Sequence, residues 1–383
     1  MTDKIKPSTT VFVSGASGFI AQELIKQLII KGYNVIGSVR SIIKGESIKS
    51  NLSSFKNGKF NYIIIKDISL LGAFDNVLQK YPEIEIFIHT ASPFHFKAEN
   101  IEQELLIPAI NGTKNALLAI KKYGHNINHV VITSSVVAVG KFGKFEKFEK
   151  FPQNNDSKLE LIIDENSWNP ITWEMALKNP VYGYFGSKTF AEKEVWKFEK
   201  FETPKFNITT INPGMVLGPQ AFPINIEYDN NNNNNKKKKN LQLNTSSQEI
   251  VRLLNLPTND INKVKISTRL INTFIDVRDV AKAHIIAFEN SEKTKNKRLL
   301  LIQDFYNDQK LLNIINKNFP QLNLPKGEFI KGEINKSNLK NSWNTIKTKT
   351  IFGDKYIEIE KSVIDSVNQI LEAKNKESSQ CKL

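Results

Sequence analysis

Two residues four apart in the chain, Tyr184 and Lys188, have the types and the spacing for acid–base chemistry. On a helix they would share one face, one turn apart. An ammonium group at that distance can stabilise a phenolate and lower the pKa of the tyrosine from about 10 toward neutral pH. A tyrosine tuned in this way can give a proton to a carbonyl oxygen as a general acid. The alternative is a tyrosine in the core and a lysine whose ammonium extends along the surface to solvent.

A serine can complete this pair. Ser135 follows the apolar run His129–Thr133, which predicts a buried strand. At the carboxyl end of that strand, its hydroxyl can hydrogen-bond the same oxygen and stabilise the charge that develops there. The alternative is a serine that only ends a strand. We predict Ser135, Tyr184 and Lys188 as one catalytic set because they accompany a nucleotide-binding pattern in the same chain.

That pattern lies at the start of the chain, in Thr10–Ala21. Val11, Phe12 and Val13 predict a buried strand, and Gly15-x-x-Gly18-x-x-Ala21 then opens an amphipathic helix. The first glycine permits a tight turn and the second lets a pyrophosphate approach the backbone. The free N–H groups at the start of the helix favour phosphate charge. By itself the motif is weak, since any buried strand-turn-helix can carry two glycines.

The second predicted strand, Asn34–Val39, bears on which dinucleotide is bound. An Asp or Glu near its end usually meets a free ribose 2′-hydroxyl. Here the strand is followed by Arg40, with Lys44 four residues on. Two cations and no carboxylate suit a 2′-phosphate, so we predict NADPH rather than NADH. The alternative is that Arg40 is an ordinary surface cation.

Strands alternate with helical patterns through the first two thirds of the chain. Further strands are predicted at 62–66, 85–90, 129–133 and 208–211, the last broken at Asn212, with a helical pattern over 99–123 that Pro108 interrupts. This alternation predicts right-handed βαβ crossovers and an α/β fold with a Rossmann-type, doubly wound parallel sheet. Asp67 is expected beside an adenine, or as the cap of a helix that begins near Ser69. Thr90, Ala91 and Ser92 end the fourth strand, where ligands of such sheets bind.

The remainder of the chain predicts a smaller, discontinuous C-terminal substrate lobe. We assign 9–213 plus 266–289 to the nucleotide-binding domain, 214–265 plus 290–373 to the substrate lobe, and 374–383 to a flexible tail. Two stretches interrupt this scheme. Phe142–Phe151 repeats Phe every third residue, and Asp229–Lys239 is a run of Asn and Lys too polar to pack. The first is read as a surface insertion or an aromatic docking element, and the second as a disordered insertion.

Composition narrows the classes of partner. A chain of 383 residues with 40% hydrophobic residues suits a globular protein with a large core. No RNA-binding aromatic or zinc-finger signature accompanies the net charge of +14. We therefore interpret this charge mainly as solvated surface and partly as a preference for a phosphorylated cofactor, and we expect no nucleic-acid partner. The five histidines show no zinc-type spacing, so no metal is expected. No apolar run approaches the ~20 residues that cross a bilayer, so no membrane partner is expected either.

Cys381 is the single cysteine, which excludes an internal disulfide and fits a reducing compartment. We therefore expect a cytoplasmic protein, monomeric or homodimeric. The last three residues, Cys381-Lys382-Leu383, are similar to the peroxisomal Ser-Lys-Leu address, and a peroxisomal location is the alternative.

Several stretches together resemble the extended short-chain dehydrogenases/reductases, and among them the fungal NADPH-dependent methylglyoxal (3-methylbutanal) reductases, relatives of dihydroflavonol and cinnamoyl-CoA reductases. The matching stretches are Val11–Ala21, Gly37–Arg40, His89–Phe96, Val131–Ser135, Ser167–Pro170, Tyr184–Lys188, Asn212–Gln220 and Phe274–His284. They fall between about Thr9 and Ala373. The glycine and Tyr/Lys motifs are typical of the whole superfamily, whereas His89–Phe96 and Ser167–Pro170 are the narrower signal.

The resemblance implies a reductase that transfers hydride from NADPH to small aldehydes or ketones, with Ser135, Tyr184 and Lys188 as its catalytic residues. It implies that NADPH is held by Gly15, Ser17, Phe19, Ile20, Arg40, Lys44, Asp67 and Ile68, and that Pro213, Gly214 and Val216 lie along the nicotinamide. Gly18 joins this set from the glycine motif. Bulkier substrates of the dihydroflavonol, cinnamoyl-CoA or 3β-hydroxysteroid type remain an alternative. A nucleotide-sensing Rossmann protein without catalysis is another, although such a protein has no need of Tyr184 and Lys188.

Overall fold

The computed structural model describes residues 9–92, 98–140, 162–224, 226–229, 238–257, 272–327 and 343–380. Its strands are β1 (Thr10–Ser14), β2 (Asn34–Val39), β3 (Phe60–Ile64), β4 (Ile84–His89), β5 (His129–Thr133), β6 (Asn207–Pro213), β7 (Met215–Leu217), β8 (Ile226–Asp229), β9 (Lys238–Leu241), β10 (Asn272–Asp276), β11 (Lys297–Leu301) and β12 (Asp304–Tyr306). Its α-helices are α1 (Phe19–Ile30), α2 (Ile42–Leu52), α3 (Asp75–Lys80), α4 (Ile107–Tyr123), α5 (Trp173–Ala176), α6 (Pro180–Glu202), α7 (Thr245–Leu254), α8 (Val277–Glu289), α9 (Ser291–Thr294), α10 (Asp308–Asn318), α11 (Ile346–Phe352) and α12 (Ile359–Gln380).

Seven strands form one sheet in the order β11-β6-β5-β4-β1-β2-β3, and every neighbouring pair in it is parallel. The chain order reverses between β1 and β4, the position at which ligands bind in open α/β sheets. The predicted Rossmann-type, doubly wound parallel sheet is therefore confirmed.

The first strand is buried along its whole length because helices cover both faces of a parallel sheet. Three phenylalanine rings fill the space beside it. The ring of Phe87 lies 4.7 Å from that of Phe12 and 5.6 Å from that of Phe74, measured between centroids. All three side chains are fully buried, so they fix β1, β4 and the start of α3 against one another.

The predicted elements are displaced in three places. The third strand begins at Phe60 and not at Tyr62. The sixth strand is not broken at Asn212 but continues to Pro213, because the missing N–H of proline falls where the strand ends. At Pro108 the helical chain is continuous but irregular: a π-helical turn at Glu102–Leu106 runs directly into α4, whose first turn holds the proline.

The chain divides into two compact units. The first comprises Met1–Gly214, Val280–Leu301 and Asn335–Asp354 and holds the seven-stranded sheet. Its β11 falls in the range that the sequence assigned to the substrate lobe; it pairs with β6 because its apolar residues Leu299–Leu301 are buried at that edge. The predicted limits of the two domains stay a prediction.

The second unit comprises Met215–Asp279, Ile302–Ile334 and Lys355–Leu383. Its β10 pairs in parallel with β7 and antiparallel with β12. The buried Phe274 packs in a core to which α7, α10 and α12 contribute. Arg278 forms ion pairs with Asp276 (2.8 Å) and Asp365 (2.6 Å), which ties the start of α8 to α12.

The two insertions lie largely outside this description. Phe142–Phe151 falls wholly outside the described residues, and so does the prediction made for it. In the Asn/Lys-rich stretch, Asp229 pairs with Lys238 in the antiparallel ladder of β8 and β9. Such backbone pairing requires no apolar side chain. The predicted disorder of residues 230–237 lies outside the described residues.

Among the helices that the structure describes, none is both long enough and apolar enough to cross a bilayer.

The phenylalanine cluster yields a stability prediction. Phe87→Ala should lower the free energy of unfolding by about 3–5 kcal/mol, because it leaves a cavity between two rings that cannot move together. Denaturant unfolding measures this. Phe201→Ala is the control, since Phe201 is 70% exposed and its loss should cost less than about 0.5 kcal/mol. Equal losses in the two variants would contradict this description of the core.

Candidate functional site

The glycine turn after β1 has a backbone that a larger residue cannot adopt easily. Gly15 has a φ of +66°, in the left-handed region, and its carbonyl accepts a hydrogen bond from the N–H of Gly18 at 2.9 Å. A Cβ atom on Gly15 would lie only 3.0 Å from the Cα of Ala91. The turn therefore lies directly against the chain that follows β4, where the sequence placed Thr90, Ala91 and Ser92.

Helix α1 begins directly after this turn, with Gly18 as its N-cap and no acidic residue in its first turn. Gly18 is exposed, and Ser17, Phe19 and Ile20 are partly exposed. The positive end of the helix and its first N–H groups thus lie at an accessible surface, which is the arrangement that binds phosphate.

Two residues that sequence reasoning missed hold this turn in place. Ser38 Oγ accepts a hydrogen bond from the N–H of Gly15 at 3.0 Å, and the Ser38 carbonyl accepts one from Ala16 at 2.8 Å. Ser14 Oγ accepts from the N–H groups of Thr90 and Ala91, each at 3.0 Å. Their position could have signalled a role, because each is a serine at the carboxyl end of a strand beside the turn.

Ser14 Oγ also hydrogen-bonds Nδ1 of His89 at 3.0 Å. Burial, together with the smaller effect of the positive charge of Lys188, lowers the pKa of His89 to about 3. This imidazole is therefore neutral at physiological pH and acts as a hydrogen-bonding partner.

The residues predicted for the adenosine end are at the surface. Arg40 follows β2 and Lys44 lies in the first turn of α2, and both are exposed. Asp67 is also exposed and accepts hydrogen bonds from the N–H and the hydroxyl of Ser69, at 2.8 and 2.7 Å. This is an Asx turn, and no helix begins at Ser69, so the predicted helix cap is wrong.

Ile68, the neighbour of Asp67, contacts α4. A Cβ atom on Gly112 would approach its Cδ1 to 2.7 Å, so the glycine allows this close packing. The binding roles predicted for Ile68 and for the three charged residues stay predictions.

The predicted catalytic residues come together. Asn179 caps α6 by accepting from the N–H of Tyr182 at 2.9 Å, and the helix then carries Tyr184 and Lys188 on one face. Tyr184 is hydrogen-bonded to the side chain of Ser135, which is buried where β5 ends. Lys188 Nζ donates to the carbonyl of Thr133 at 3.4 Å. The three side chains thus meet at the carboxyl end of β5.

The electrostatics of this cluster differ from the prediction. Burial raises the pKa of Tyr184 above its ordinary value, and the hydrogen bond with Ser135 lowers it by less. The net shift is therefore opposite to the predicted lowering, because removing the phenol from water outweighs the hydrogen bond that favours its anion. Burial also lowers the pKa of Lys188, to about 8, against the opposing effect of Glu192. At neutral pH the phenol is protonated and most lysine side chains at this position are charged.

The chain beyond β6 was predicted to lie along a nicotinamide. Pro213 ends β6, and Gly214 donates its N–H to the Leu301 carbonyl at 2.9 Å. Val216 lies in β7 of the second unit, paired with Ile275. The role of all three toward a cofactor stays a prediction.

Of two cavities in the first unit, one is lined by predicted site residues and the other is not. A small one, of about 20 Å³, is lined by Ala91, Ser92 and Lys188 together with Thr133 and Glu192, so predicted cofactor and catalytic residues share one space. A larger one, of about 1020 Å³, lies elsewhere in the first unit, and none of the predicted residues lines it. Its walls include Trp168, Trp196, Arg298 and Ile346.

Within the described part of the chain, no three His, Cys, Asp or Glu side chains form a group that could hold a metal ion.

The pKa of Lys188 predicts how stability varies with pH. Below pH 8 the lysine is charged both folded and unfolded, so the cost of burying that charge is fully present. Between pH 8 and 10.5 the folded form is neutral and the cost disappears. Lys188→Met should therefore unfold with a free energy about 1–3 kcal/mol higher than the natural protein at pH 7, and this advantage should shrink toward pH 10.

Denaturant unfolding across this pH range measures the difference. Lys114→Met, an exposed lysine on α4, should show no such advantage at any pH. A constant difference between Lys188→Met and the natural protein across pH 7–10 would contradict the burial of a charged lysine.

Comparison with known proteins agrees with the geometry. The 3-beta hydroxysteroid dehydrogenase/isomerase family matches residues 12–256. GRP2 of Candida albicans, provisionally named an NADPH-dependent methylglyoxal reductase, is 48% identical over 372 residues, 95% of this chain and 99% of that protein. The structure of yeast methylglyoxal/isovaleraldehyde reductase Gre2 complexed with NADPH is 37% identical with a TM-score of 0.78, over 96% of this chain and 99% of that one.

A structure of Gre2 from Candida albicans in complex with NADPH is 42% identical with a TM-score of 0.76, over 95% of this chain and 99% of that one. The resemblance found in the sequence motifs is thereby confirmed. The chain belongs to the 3-beta hydroxysteroid dehydrogenase/isomerase family, among the extended short-chain dehydrogenases/reductases.

Proposed function

We propose that this chain is an NADPH-dependent carbonyl reductase that reduces small aldehydes and ketones, such as methylglyoxal or 3-methylbutanal, to alcohols. The observation that carries the proposal is the hydrogen bond between Tyr184 and Ser135, with Lys188 one turn away on the same helix. Relatives that share nearly the whole chain and are named as NADPH-dependent methylglyoxal reductases support the substrate class and the cofactor.

The residues of the first unit fit the cofactor. The positive φ of Gly15, and the space beside Ala91 that a Cβ would fill, make a close backbone cradle below the exposed N-terminus of α1. We assign the diphosphate to this cradle, with Gly15, Ser17, Gly18, Phe19 and Ile20 around it. Arg40 and Lys44 would meet a 2′-phosphate, and Asp67 and Ile68 the adenine. Thr90, Ala91, Ser92, Pro213, Gly214 and Val216 would line the path to the nicotinamide.

Bound NADPH would supply a hydride for the carbonyl carbon of the substrate. Tyr184 donates the proton that the carbonyl oxygen needs, so that hydride and proton together give the alcohol. Its raised pKa keeps the phenol protonated at neutral pH, and a general acid must be protonated before the reaction begins. Ser135 Oγ hydrogen-bonds the same oxygen and stabilises the charge that develops on it.

Lys188 supports this proton transfer. Once Tyr184 has given up its proton, a phenolate remains in a half-buried site where it is incompletely solvated. The ammonium of Lys188 is charged at neutral pH and one helical turn away, so it stabilises that anion. The same group can hydrogen-bond the hydroxyls of the nicotinamide ribose.

We also propose a cytoplasmic enzyme that works as a monomer or a homodimer. Light scattering on the purified chain distinguishes the two assemblies. Fluorescent fusions with and without Cys381-Lys382-Leu383 distinguish cytoplasm from peroxisome.

Replacing the proton donor tests the mechanism. Tyr184→Phe should lower kcat for methylglyoxal by about 10²- to 10⁴-fold, because the ring stays and only the acidic hydroxyl is lost. The decrease of NADPH absorbance measures turnover. NADPH fluorescence should show binding as in the natural protein.

Tyr182→Phe, on the same helix, is the matched control and should retain activity. Full activity of Tyr184→Phe would contradict the role assigned to this phenol. A natural protein that binds NADPH but reduces nothing in a panel of small carbonyls, flavonoids, acyl-CoA thioesters and ketosteroids would contradict the proposed function.

Replacing the predicted 2′-phosphate contact tests cofactor choice. Arg40→Ser should raise KM for NADPH about 10- to 100-fold, since a hydrogen bond to a charged group is worth about 1.5–3 kcal/mol. KM for NADH should change little, because NADH carries no phosphate there. Lys49→Ser removes another exposed cation, from the last turn of α2, and should leave both constants unchanged. Equal effects on both cofactors would contradict the phosphate contact.

A further inference from the structure

Helix α6 carries a third polar residue on the face of Tyr184 and Lys188. Glu192 lies one turn beyond Lys188 and is only 2% exposed. Its carboxylate accepts hydrogen bonds from Ser134 Oγ (2.5 Å), Asn212 Nδ2 (2.6 Å), Arg298 Nε (2.6 Å), Thr210 Oγ1 (3.1 Å) and Trp196 Nε1 (3.2 Å). We call these six residues the Glu192 network. A buried carboxylate with this many donors is held in one position.

The charge of Glu192 is balanced by Arg298, on β11. The register of β11 and β6 sets Arg298 beside Thr210, on the sheet face that α6 covers. The side chains of the pair are 9% and 0% exposed. Nη1 of Arg298 donates to the carbonyls of Glu165 (3.1 Å) and Ser167 (2.5 Å), and Nη2 donates to the Ala138 carbonyl at 3.4 Å.

The guanidinium of Arg298 also lies 3.8 Å from the centroid of the Trp168 ring. Removing one partner of such a buried, hydrogen-bonded pair is strongly unfavourable, because it leaves the other charge without compensation.

The Glu192 network contacts the backbone at Ser135 and the residue before it. Ser134, the preceding residue, donates to Glu192. Asn212 bonds Glu192 and donates to the Ser135 carbonyl at 3.2 Å with the same amide group. The backbone that carries Ser135 is thus fixed to α6, the helix that carries Tyr184 and Lys188.

The Ser167–Pro170 stretch takes part in no step of the reaction, but it is hydrogen-bonded to the residues that follow Ser135. Asn169 Nδ2 donates to the carbonyls of Val137 (2.8 Å) and Gly140 (3.1 Å). Its backbone N–H donates to the Ala138 carbonyl at 3.0 Å. Arg298 contacts both Ser167 and Trp168, so the Ser167–Pro170 stretch is connected to the Glu192 network.

Glu192 also acts on Lys188 through its charge. In the described part of the chain, Lys188 interacts electrostatically with Glu192 on the same helix and with His89 from β4. Tyr184 lies one turn before it on α6, and Arg298 lies behind Glu192. His89 is neutral, so Glu192 provides the negative charge that opposes the burial of the ammonium. Without it, Lys188 would lose its proton at a lower pH.

We propose that Glu192, held by Arg298, is a positioning residue that sets the location of Ser135 and maintains the positive charge of Lys188. This inference rests on the proposed function, since it concerns the same catalytic residues.

Glu192→Gln tests it, because glutamine keeps the size and most hydrogen bonds and removes the charge. We expect kcat to fall about 10- to 100-fold, with KM for NADPH within about twofold of the natural value. We expect the alkaline limb of kcat against pH to move down by about half a pH unit or more, because Lys188 deprotonates earlier. Glu194→Gln, two residues along α6 in an ion pair with Lys197, is the control and should change neither quantity.

Glu192→Asp separates charge from position. It keeps the carboxylate but shortens its reach, so the alkaline limb should return to its natural pH while kcat stays lowered. A purely structural role would lower the thermal midpoint of these variants and leave the pH profile in place, which would overturn the inference. If Glu192→Gln does not fold, Glu192→Asp with natural kcat would overturn it too.

A readout without turnover separates this inference from the proposed function. The stability advantage of Lys188→Met should begin to shrink at a lower pH in the Glu192→Gln background than in the natural one. An unchanged onset overturns the inference even if the protein is a reductase. A shifted onset in a protein that reduces no carbonyl supports the action of Glu192 on Lys188 and rejects the proposed function alone.

Discussion

In the large sheet, β1, β4, β5 and β6 run parallel and in register, so that their last residues end at one edge. Ser14 pairs with His89, His89 with Ile132, and Thr133 with Ile211. A shift of one residue in any of these ladders would turn the side chains of that strand to the opposite face. The contact of the glycine turn with Ala91, the hydrogen bonds of Ser14, and the location of Ser135 all depend on this alignment. The pairing of the strands therefore determines where the side chains of the site lie.

The same alignment removes several polar groups wholly or partly from water, and their protonation follows from that. The pKa of His89 falls to about 3 and that of Lys188 to about 8, while the pKa of Tyr184 rises. Each shift favours the uncharged form, as burial requires. One positive charge therefore survives at neutral pH, on Lys188, and it lies next to a phenol that still holds its proton. A site of this kind costs stability, which is the usual relation between a functional cluster and its fold.

A feature could be predicted from the sequence when residues close to it in the chain determine it. The apolar runs of β1, β2 and β5 identified strands because a buried parallel strand must be apolar on both faces. Tyr184, Lys188 and the glycine turn were found because helix periodicity and turn geometry are local. The prediction of a lowered tyrosine pKa was wrong because it took into account only the charge of Lys188 and not the removal of the phenol from water. Asn212 was misread because a strand end tolerates residues that its interior excludes, and Pro108 was misread because a π-helical turn before it carries the helix past the proline.

The sequence by itself determined the sheet, the glycine turn, the helix that carries Tyr184 and Lys188, and the family, since these rest on periodicity, on residue type and on motifs of a few residues. Only the tertiary structure decided that Glu192 faces Arg298, which is 106 residues away, and that Asn212 joins both to the Ser135 backbone. In the sequence Glu192 is one of several glutamates on a long helix. Its burial and its partners follow from which strand lies at the sheet edge and in what register, and a pairing between distant segments leaves no periodic trace in either of them.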